Sequence, residues 1–442
     1  MKIRFYNARI LTMTQGSALF EGELWVEEDR ILYVGDGKDL DDFYRRTGKG
    51  RIVWDQEIDC AGNVLMPGFK DAHTHSAMVA MRSFADDMPL QEWLNTKIFP
   101  LEAKMTDQDN YDLTQLAILE YVTSGITAIF DMYLSPKDIA RACVDMGMRC
   151  VQVSGLNKFG PALEVMEERF NQLNAMHPLV SYWMGVHAEY TCSKELLEQV
   201  SELVHKYKAP IFSHLSETKM ETEECIARYG MTPPQFLDSL GLFDYGGGGY
   251  HCVYFTEEDM DLFAKKGLSV ITNPGSNTKL ASGIAPVTRF LEKGINVGIG
   301  TDGASSNNCL DMFREMFLTT GLAKLHDSDA SAVDADEVLR MATVNGAKAM
   351  GLSDCDVLAE GKKADLIMID LHQPNMQPLN NITKNIVYSG SKQNVKMTMV
   401  DGKILYQDGK FLCCEDPEAL YAKANEIIAR LSGNEALETH VQ

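Results

Sequence analysis

The residues able to do chemistry fall at the ends of short apolar runs. His73 and His75 close VLMPGFKDAHTH (64–75), and His187 lies in YWMGVHAEY (182–190). His214 and Glu217 close APIFSHLSE (209–217), His251 is near the start of YHCVYF (250–255), and Asp302 ends NVGIGTDG (296–303). Side chains two residues apart on a strand point to the same side, so His73 and His75 present two imidazoles to one point. Alone, His-x-His fits a surface pair as well as a metal site. With His214 and Asp302 it becomes three imidazoles and a carboxylate, a donor set for one divalent ion with a position left for water. Zinc heads the expectation, with iron or manganese as alternatives.

Such an ion would lower the pKa of a bound water from about 16 towards 7. Asp302 could take the proton. Glu217, three residues past His214, could protonate a ring nitrogen as the oxygen attacks the adjacent carbon, a contribution of about 10²–10⁴-fold. Taken alone, Glu217 reads equally well as a helix-start carboxylate bonded to backbone N–H groups. His251 could orient the attacking oxygen or be a core histidine.

These residues need a scaffold that brings distant strand ends together. Eight apolar runs alternate with helical stretches; besides those above they are GITAIFDMY (125–133), RCVQVSGL (149–156) and LSVITNPGS (268–276). In SKELLEQVSELVHKY, Leu196, Leu197, Val200, Leu203 and Val204 recur at helical spacing. Strands alternating with helices imply parallel pairing. A (β/α)₈ barrel over 61–360 is expected, with its strand ends sharing one face, and a doubly wound sheet is the runner-up. Alternating patterns over 1–60 and 361–415, with hairpin signals at Asp401-Gly402 and Asp408-Gly409, suggest a small β-sandwich from both chain ends. The tail, 416–442, reads as an amphipathic helix through Leu420, Ala424, Ile427, Ile428 and Leu431.

Composition narrows the partners. The formal charge is 41 − 63 = −22, which disfavours nucleic acid and anionic membrane. None of the ten cysteines has Cys-x-x-Cys spacing, so reduced cysteines in a cytoplasmic protein are expected. There is no signal-peptide pattern and no apolar run of transmembrane length. A small-molecule substrate is expected, and a homo-oligomer is left open.

The run PGFKDAHTHSAMVAMRSFADDMPLQEWL (67–94) resembles the S-adenosylhomocysteine/methylthioadenosine/adenosine deaminases of the amidohydrolase superfamily. So do HAEYTCS (187–193), HLSET (214–218), HCVYFTEED (251–259), NPGSNTKLASGIAPV (273–287), GTDGASSNN (300–308) and AEGKKADLIMIDL (359–371). The resemblance implies hydrolytic deamination at C6 of an adenine nucleoside: adenosine, methylthioadenosine, 5′-deoxyadenosine or S-adenosylhomocysteine. It implies one metal ion on His73, His75, His214 and Asp302, Glu217 moving protons at N1, and His251 contacting water. It places Trp93 and Glu102 at the ribose, His187 at the purine N3 and Ser306 beside the base. Trp93 alone also reads as core, and Glu102 as a solvated carboxylate. For a homocysteine carboxylate, Arg149 is the one arginine nearby. Glu189 departs from the family pattern, standing where proline usually follows His-Ala.

Three other readings compete. The same chemistry could act on a pterin, guanine, cytosine or chlorotriazine. A two-metal cyclic-amide hydrolase would need a strand-four lysine, which YWMGVHAEY lacks. A nucleoside-binding protein without turnover would keep the fold and lose the chemistry.

Overall fold

The computed structural model describes residues 1–160 and 162–433. Its strands, in chain order, begin with β1 (Lys2–Ile10), β2 (Phe20–Glu27), β3 (Arg30–Gly35), β4 (Gln56–Asp59) and β5 (Val64–Pro67). The central series is β6 (Phe69–His75), β7 (Ile126–Asp131), β8 (Arg149–Val153), β9 (Val180–Ala188), β10 (Ile211–Leu215), β11 (Gly247–His251), β12 (Ser269–Thr272), β13 (Asn296–Ile299) and β14 (Asp302–Gly303). The series ends with β15 (Leu366–Ile369), β16 (Val395–Val400), β17 (Lys403–Gln407) and β18 (Lys410–Phe411).

The central strands pair in parallel in the order β13-β12-β11-β10-β9-β8-β7-β6-β14. β13 pairs with β12, and its continuation β14 pairs with β6, Asp302 opposite Thr74. The eighth strand is therefore split across Gly300-Thr301, and its two pieces close the (β/α)₈ barrel. Strands buried on both faces read as continuous apolar runs; β7, ITAIFD, is buried at all six positions. Phe130, Phe212 and Tyr250 fill the barrel interior with Ala72, Ala128, Val151 and Ile271. The helix Lys194–Tyr207 starts at Ser193, whose side chain accepts from Leu196 N–H, and buries Leu197, Val200, Leu203 and Val204.

The run at 64–75 is two strands, not one. β5 joins the flanking sheet and β6 enters the barrel, with the break at Gly68. A Cβ on Gly68 would lie 2.0 Å from Thr127 Cγ2, so only glycine lets the two strands pass. The glycines of β11 have a similar cause: a Cβ on Gly248 would lie 2.1 Å from Ser269 O.

The chain ends share a second sheet, ordered β18-β17-β16-β15-β5-β1-β2-β3 with β4 beside β1. The antiparallel β5–β15 pair joins its N- and C-terminal parts into one continuous sheet. It has its own core, including Phe5, Ile10, Leu24, Leu366, Met397 and Met399. A helix spans Pro417–Ser432; the part of the tail expected as helix over 434–442 lies outside the described residues. Among the described residues no helix is long and apolar enough to cross a membrane.

Candidate active site

The C-terminal strand ends converge as polarity in a parallel barrel requires. β6 delivers His73 and His75, β10 His214, β11 His251 and β14 Asp302. Ligand atoms of His73, His214, His251 and Asp302 all lie within 4.8 Å of one another. His75 Nε2 joins the group 3.1 Å from Asp302 Oδ1, and His73 Nε2 is 3.5 Å from the same oxygen. The His73 ring stacks on Tyr250, with centroids 3.8 Å apart, so the barrel core forms the floor of the site.

Each histidine but His73 has an acceptor at Nδ1. His75 Nδ1 meets Met132 O, His214 Nδ1 meets His187 O at 2.7 Å, and His251 Nδ1 meets Asn277 Oδ1 at 2.7 Å. An acceptor there places the proton on Nδ1 and leaves the Nε2 lone pair for the cluster. His73 has no hydrogen-bond partner at either nitrogen, and His251 Nε2 has none either, though all are buried. Buried polar atoms rarely stay unpaired. Burial, opposed by Asp302, pulls His73 down to about 3. Burial and the surrounding imidazoles hold His214 well below its usual value. Asp302 is pushed up by burial, but the His73 and His75 rings facing it outweigh this and hold it well below the carboxylate range. His75 runs the other way: burial lowers it, but the adjacent Asp302 outweighs this and pushes it up to about 9. Three imidazoles crowded on one carboxylate, with unpaired nitrogens on His73, are a donor set that one divalent cation fits.

A cavity of about 460 Å³ opens over this cluster. Its walls include Trp93, Glu102, His187, Glu217, His251, Asp302 and Ser306. Glu217 follows β10 on the loop into the helix Lys219–Tyr229. Its Oε1 accepts from Ser282 Oγ at 3.2 Å, and Oε2 lies 3.9 Å from His251 Nε2. Burial, opposed by His251, raises its pKa. Glu102 is raised by burial too, with the Tyr133 hydroxyl opposing. Burial and His75 bring His187 down to about 4. Ser306 Oγ donates to Asp302 Oδ2 at 2.9 Å, so it braces the carboxylate as well as lining the cavity. Glu189, buried, pairs with Arg228 at 2.6 Å and ties the His187 loop to the helix after Glu217.

Arg149 is a correction. It is the first residue of β8, at the strand end away from the cavity. Its guanidinium binds Asp365 through Nε at 2.6 Å and Nη2 at 2.9 Å, and Asp401 at 3.0 Å. With Nε and Nη2 committed to the flanking sheet and the residue at the barrel end opposite the cavity, it does not serve a substrate carboxylate there. The cation that lines the cavity is Arg169, on the helix Leu163–Leu173. Asn277 and Ser282 also escaped the sequence reading; both lie inside NPGSNTKLASGIAPV, but nothing in that run says which histidine or glutamate each will meet. Glu221, whose carboxylate accepts from the Ser216 and Glu217 N–H groups, was missed too but left a trace, because Thr218-Lys219-Met220-Glu221 has the capping-box spacing.

Residues 64–405 match the amidohydrolase family. A 5-methylthioadenosine/S-adenosylhomocysteine deaminase from Desulforamulus reducens is 40% identical over 97% of this chain and 98% of its own length. One of the same name from Pyrococcus furiosus is 38% identical over 93% of this chain and 98% of its own. Among solved structures, an adenosine deaminase from Xanthomonas campestris with bound zinc superposes with a TM-score of 0.90 at 30% identity, covering 98% of each chain. A triazine hydrolase variant, at 21% identity with a TM-score of 0.86 over 97% of this chain and 99% of its own, shares the fold. The chain belongs to the amidohydrolase family, in the branch that holds the 5-methylthioadenosine/S-adenosylhomocysteine deaminases.

Proposed function

We propose that this protein hydrolyses the C6 amino group of adenine nucleosides, releasing ammonia and an inosine-type product. The observation that carries the reading is that one cavity of about 460 Å³ joins the histidine–aspartate cluster and Glu217 to Trp93 and Glu102. A bare heterocycle needs only the first group; a nucleoside needs both. The reading takes zinc as the ion, on His73, His75, His214 and Asp302, following the zinc in the Xanthomonas adenosine deaminase. When bound, such an ion acidifies a coordinated water and makes hydroxide accessible near neutral pH.

The chain's own groups then divide the proton work. Asp302 takes one proton from the water, and His251 Nε2 orients the oxygen towards C6. Glu217, whose carboxyl burial shifts towards the protonated form, gives a proton to N1 as the carbon–oxygen bond forms. The proton on Asp302 passes to the C6 amino group, the C6–N bond breaks and ammonia leaves. The new hydroxyl returns its proton to Glu217, which ends the cycle as it began. Glu102 accepts from both ribose hydroxyls, Trp93 packs on the sugar, His187 meets N3 and Ser306 borders the base while bracing Asp302. The 5′ substituent faces the stretch of wall that Phe159 and Arg169 help to line. The acidic chain acts in the cytoplasm on a small molecule, apart from nucleic acid.

The test is a turnover panel on zinc-loaded protein with adenosine, 5′-deoxyadenosine, methylthioadenosine, S-adenosylhomocysteine, guanine and a pterin, following ammonia and ultraviolet absorbance. Turnover of adenine nucleosides is expected, with KM raised about tenfold or more by Glu102→Ala through the lost diol contacts. Turnover of guanine or pterin alone, or indifference to Glu102→Ala, overturns the reading. Metal content near one zinc per active chain is the accompanying check.

A further inference from the structure

Glu217 sits on irregular backbone, yet its proton must reach one ring atom. Ser216, just before it, is a buried non-glycine residue in the left-handed region, with φ +49. That conformation is uncommon for a serine and persists only where the surroundings impose it. The next strand supplies part of the restraint: Cys252 N–H donates to Leu215 O at 3.1 Å and Tyr254 N–H to Ser216 O at 2.9 Å. Both restrain carbonyls, and neither holds the N–H groups of Ser216 and Glu217.

Those N–H groups belong to Glu221. Ser216 N–H donates to Glu221 Oε1 and Glu217 N–H to Oε2, each at 2.8 Å. Glu221 is itself fixed at the start of the helix Lys219–Tyr229, where its own N–H donates to Thr218 Oγ1 at 3.2 Å. Its side chain is buried and, among the described residues, forms no ion pair. A second carboxylate beside Glu217, without a cation, is costly unless backbone donors use both its oxygens. Ser282 completes the arrangement from the far side by donating to Glu217 Oε1. That leaves Oε2, the oxygen nearer His251, free to carry the proton.

We propose that Glu221 is a positioning residue for proton transfer: its carboxylate clamps the Ser216 and Glu217 amides and so fixes where the Glu217 carboxyl points. The proposal rests on Glu217 being the proton carrier, and it assigns Glu221 no contact with substrate. A glutamate that merely caps the helix would make the same first turn. The two roles differ in what happens when the Glu217 carboxyl is already gone.

The experiment is a double-mutant cycle on the full-length, zinc-loaded protein with the best adenine nucleoside of the panel. Glu221→Ala and Glu221→Gln are made in the wild type and in Glu217→Gln. In the wild-type background each is expected to lower kcat about tenfold or more, with KM changed less than about threefold and zinc content unchanged. In the Glu217→Gln background the same changes should alter kcat less than about threefold, because the group being aimed no longer moves a proton. Equal losses in both backgrounds overturn the proposal, as does wild-type kcat in both Glu221 variants. If Glu221→Ala does not fold, the near-isosteric Glu221→Gln, which keeps one acceptor oxygen, carries the comparison alone. Wild-type kcat in Glu217→Gln itself would instead sink the assignment of Glu217, and the two failures are thereby separable.

Discussion

Among the described residues Arg169, half-buried, is the one lysine or arginine lining the cavity, and it has no ion-pair partner there. Neutral 5′ substituents gain nothing from it, whereas a carboxylate could form charge-assisted hydrogen bonds. Arg169→Gln should therefore raise KM for S-adenosylhomocysteine about tenfold or more and leave methylthioadenosine within about twofold; equal effects on both in steady-state kinetics would refute this. The error over Arg149 shows what sequence proximity conceals. Arg149 and Ser154 belong to one run, RCVQVSGL, but the strand between them separates the two faces of the barrel. Strand polarity alone puts the run's first residue at the wrong end. His73, His75, His214 and Asp302 were readable because each lies at or near the C-terminal end of an apolar run; His251 was misplaced at the start of YHCVYF, whereas it ends β11, whose glycines Gly247–Gly249 hide the strand. Asn277, Ser282 and Glu221 were not readable as partners, because what they do depends on which atom of another element they meet.

Among the elements, the segment carrying Trp93 and Glu102 depends most on a distant neighbour. It runs as short turns, Leu90–Trp93, Leu94–Ile98 and Phe99–Glu102, not as one regular helix. Beyond it, Lys104 Nζ donates to Leu431 O at 2.9 Å, and Arg430 meets Asp109 at 2.5 Å, where Asp109 also bonds Thr106. The C-terminal helix Pro417–Ser432 thus anchors the wall assigned to the ribose. Lys104→Met combined with Arg430→Met should raise nucleoside KM about three- to tenfold with kcat within about twofold; unchanged KM would show the wall stands without the anchor. The amphipathic tail was visible in its leucine and isoleucine spacing, but its docking site was not. The eight barrel strands were visible because burial on both faces keeps them apolar. The break at Gly68 was not, since Thr127, 59 positions on in the chain, is what forbids a side chain there.

Barrel and flanking sheet are joined by buried charge. Arg149 of β8 forks onto Asp365, which immediately precedes β15, and reaches Asp401. Burial pushes Asp365 up, but Arg149 outweighs it and holds the carboxyl below its usual value. A lowered folded-state pKa stabilises the protein above the unfolded value near 3.9, and that contribution is lost as pH falls through the folded value. Asp365→Asn should therefore cost about 3 kcal/mol in urea unfolding at pH 7, since it strands a buried guanidinium. The gap from wild type should narrow only below about pH 4; a constant gap would argue against the ion pair. The two-part architecture could be anticipated from alternation at both chain ends, whereas the β5–β15 pairing that unites them spans some 300 residues and leaves no local pattern. The split eighth strand carries a consequence for assembly. His73 and His75 come from the first stave of the ring and Asp302 from the last, and they become neighbours only where β14 meets β6. A nascent chain cannot own a complete ion-binding site until its final stave has been synthesised and has docked; a cation held by His73, His75 and Asp302 would then tie the first and last staves together, so chelation should speed amide hydrogen exchange at the junction of β14 with β6 before any other part of the ring.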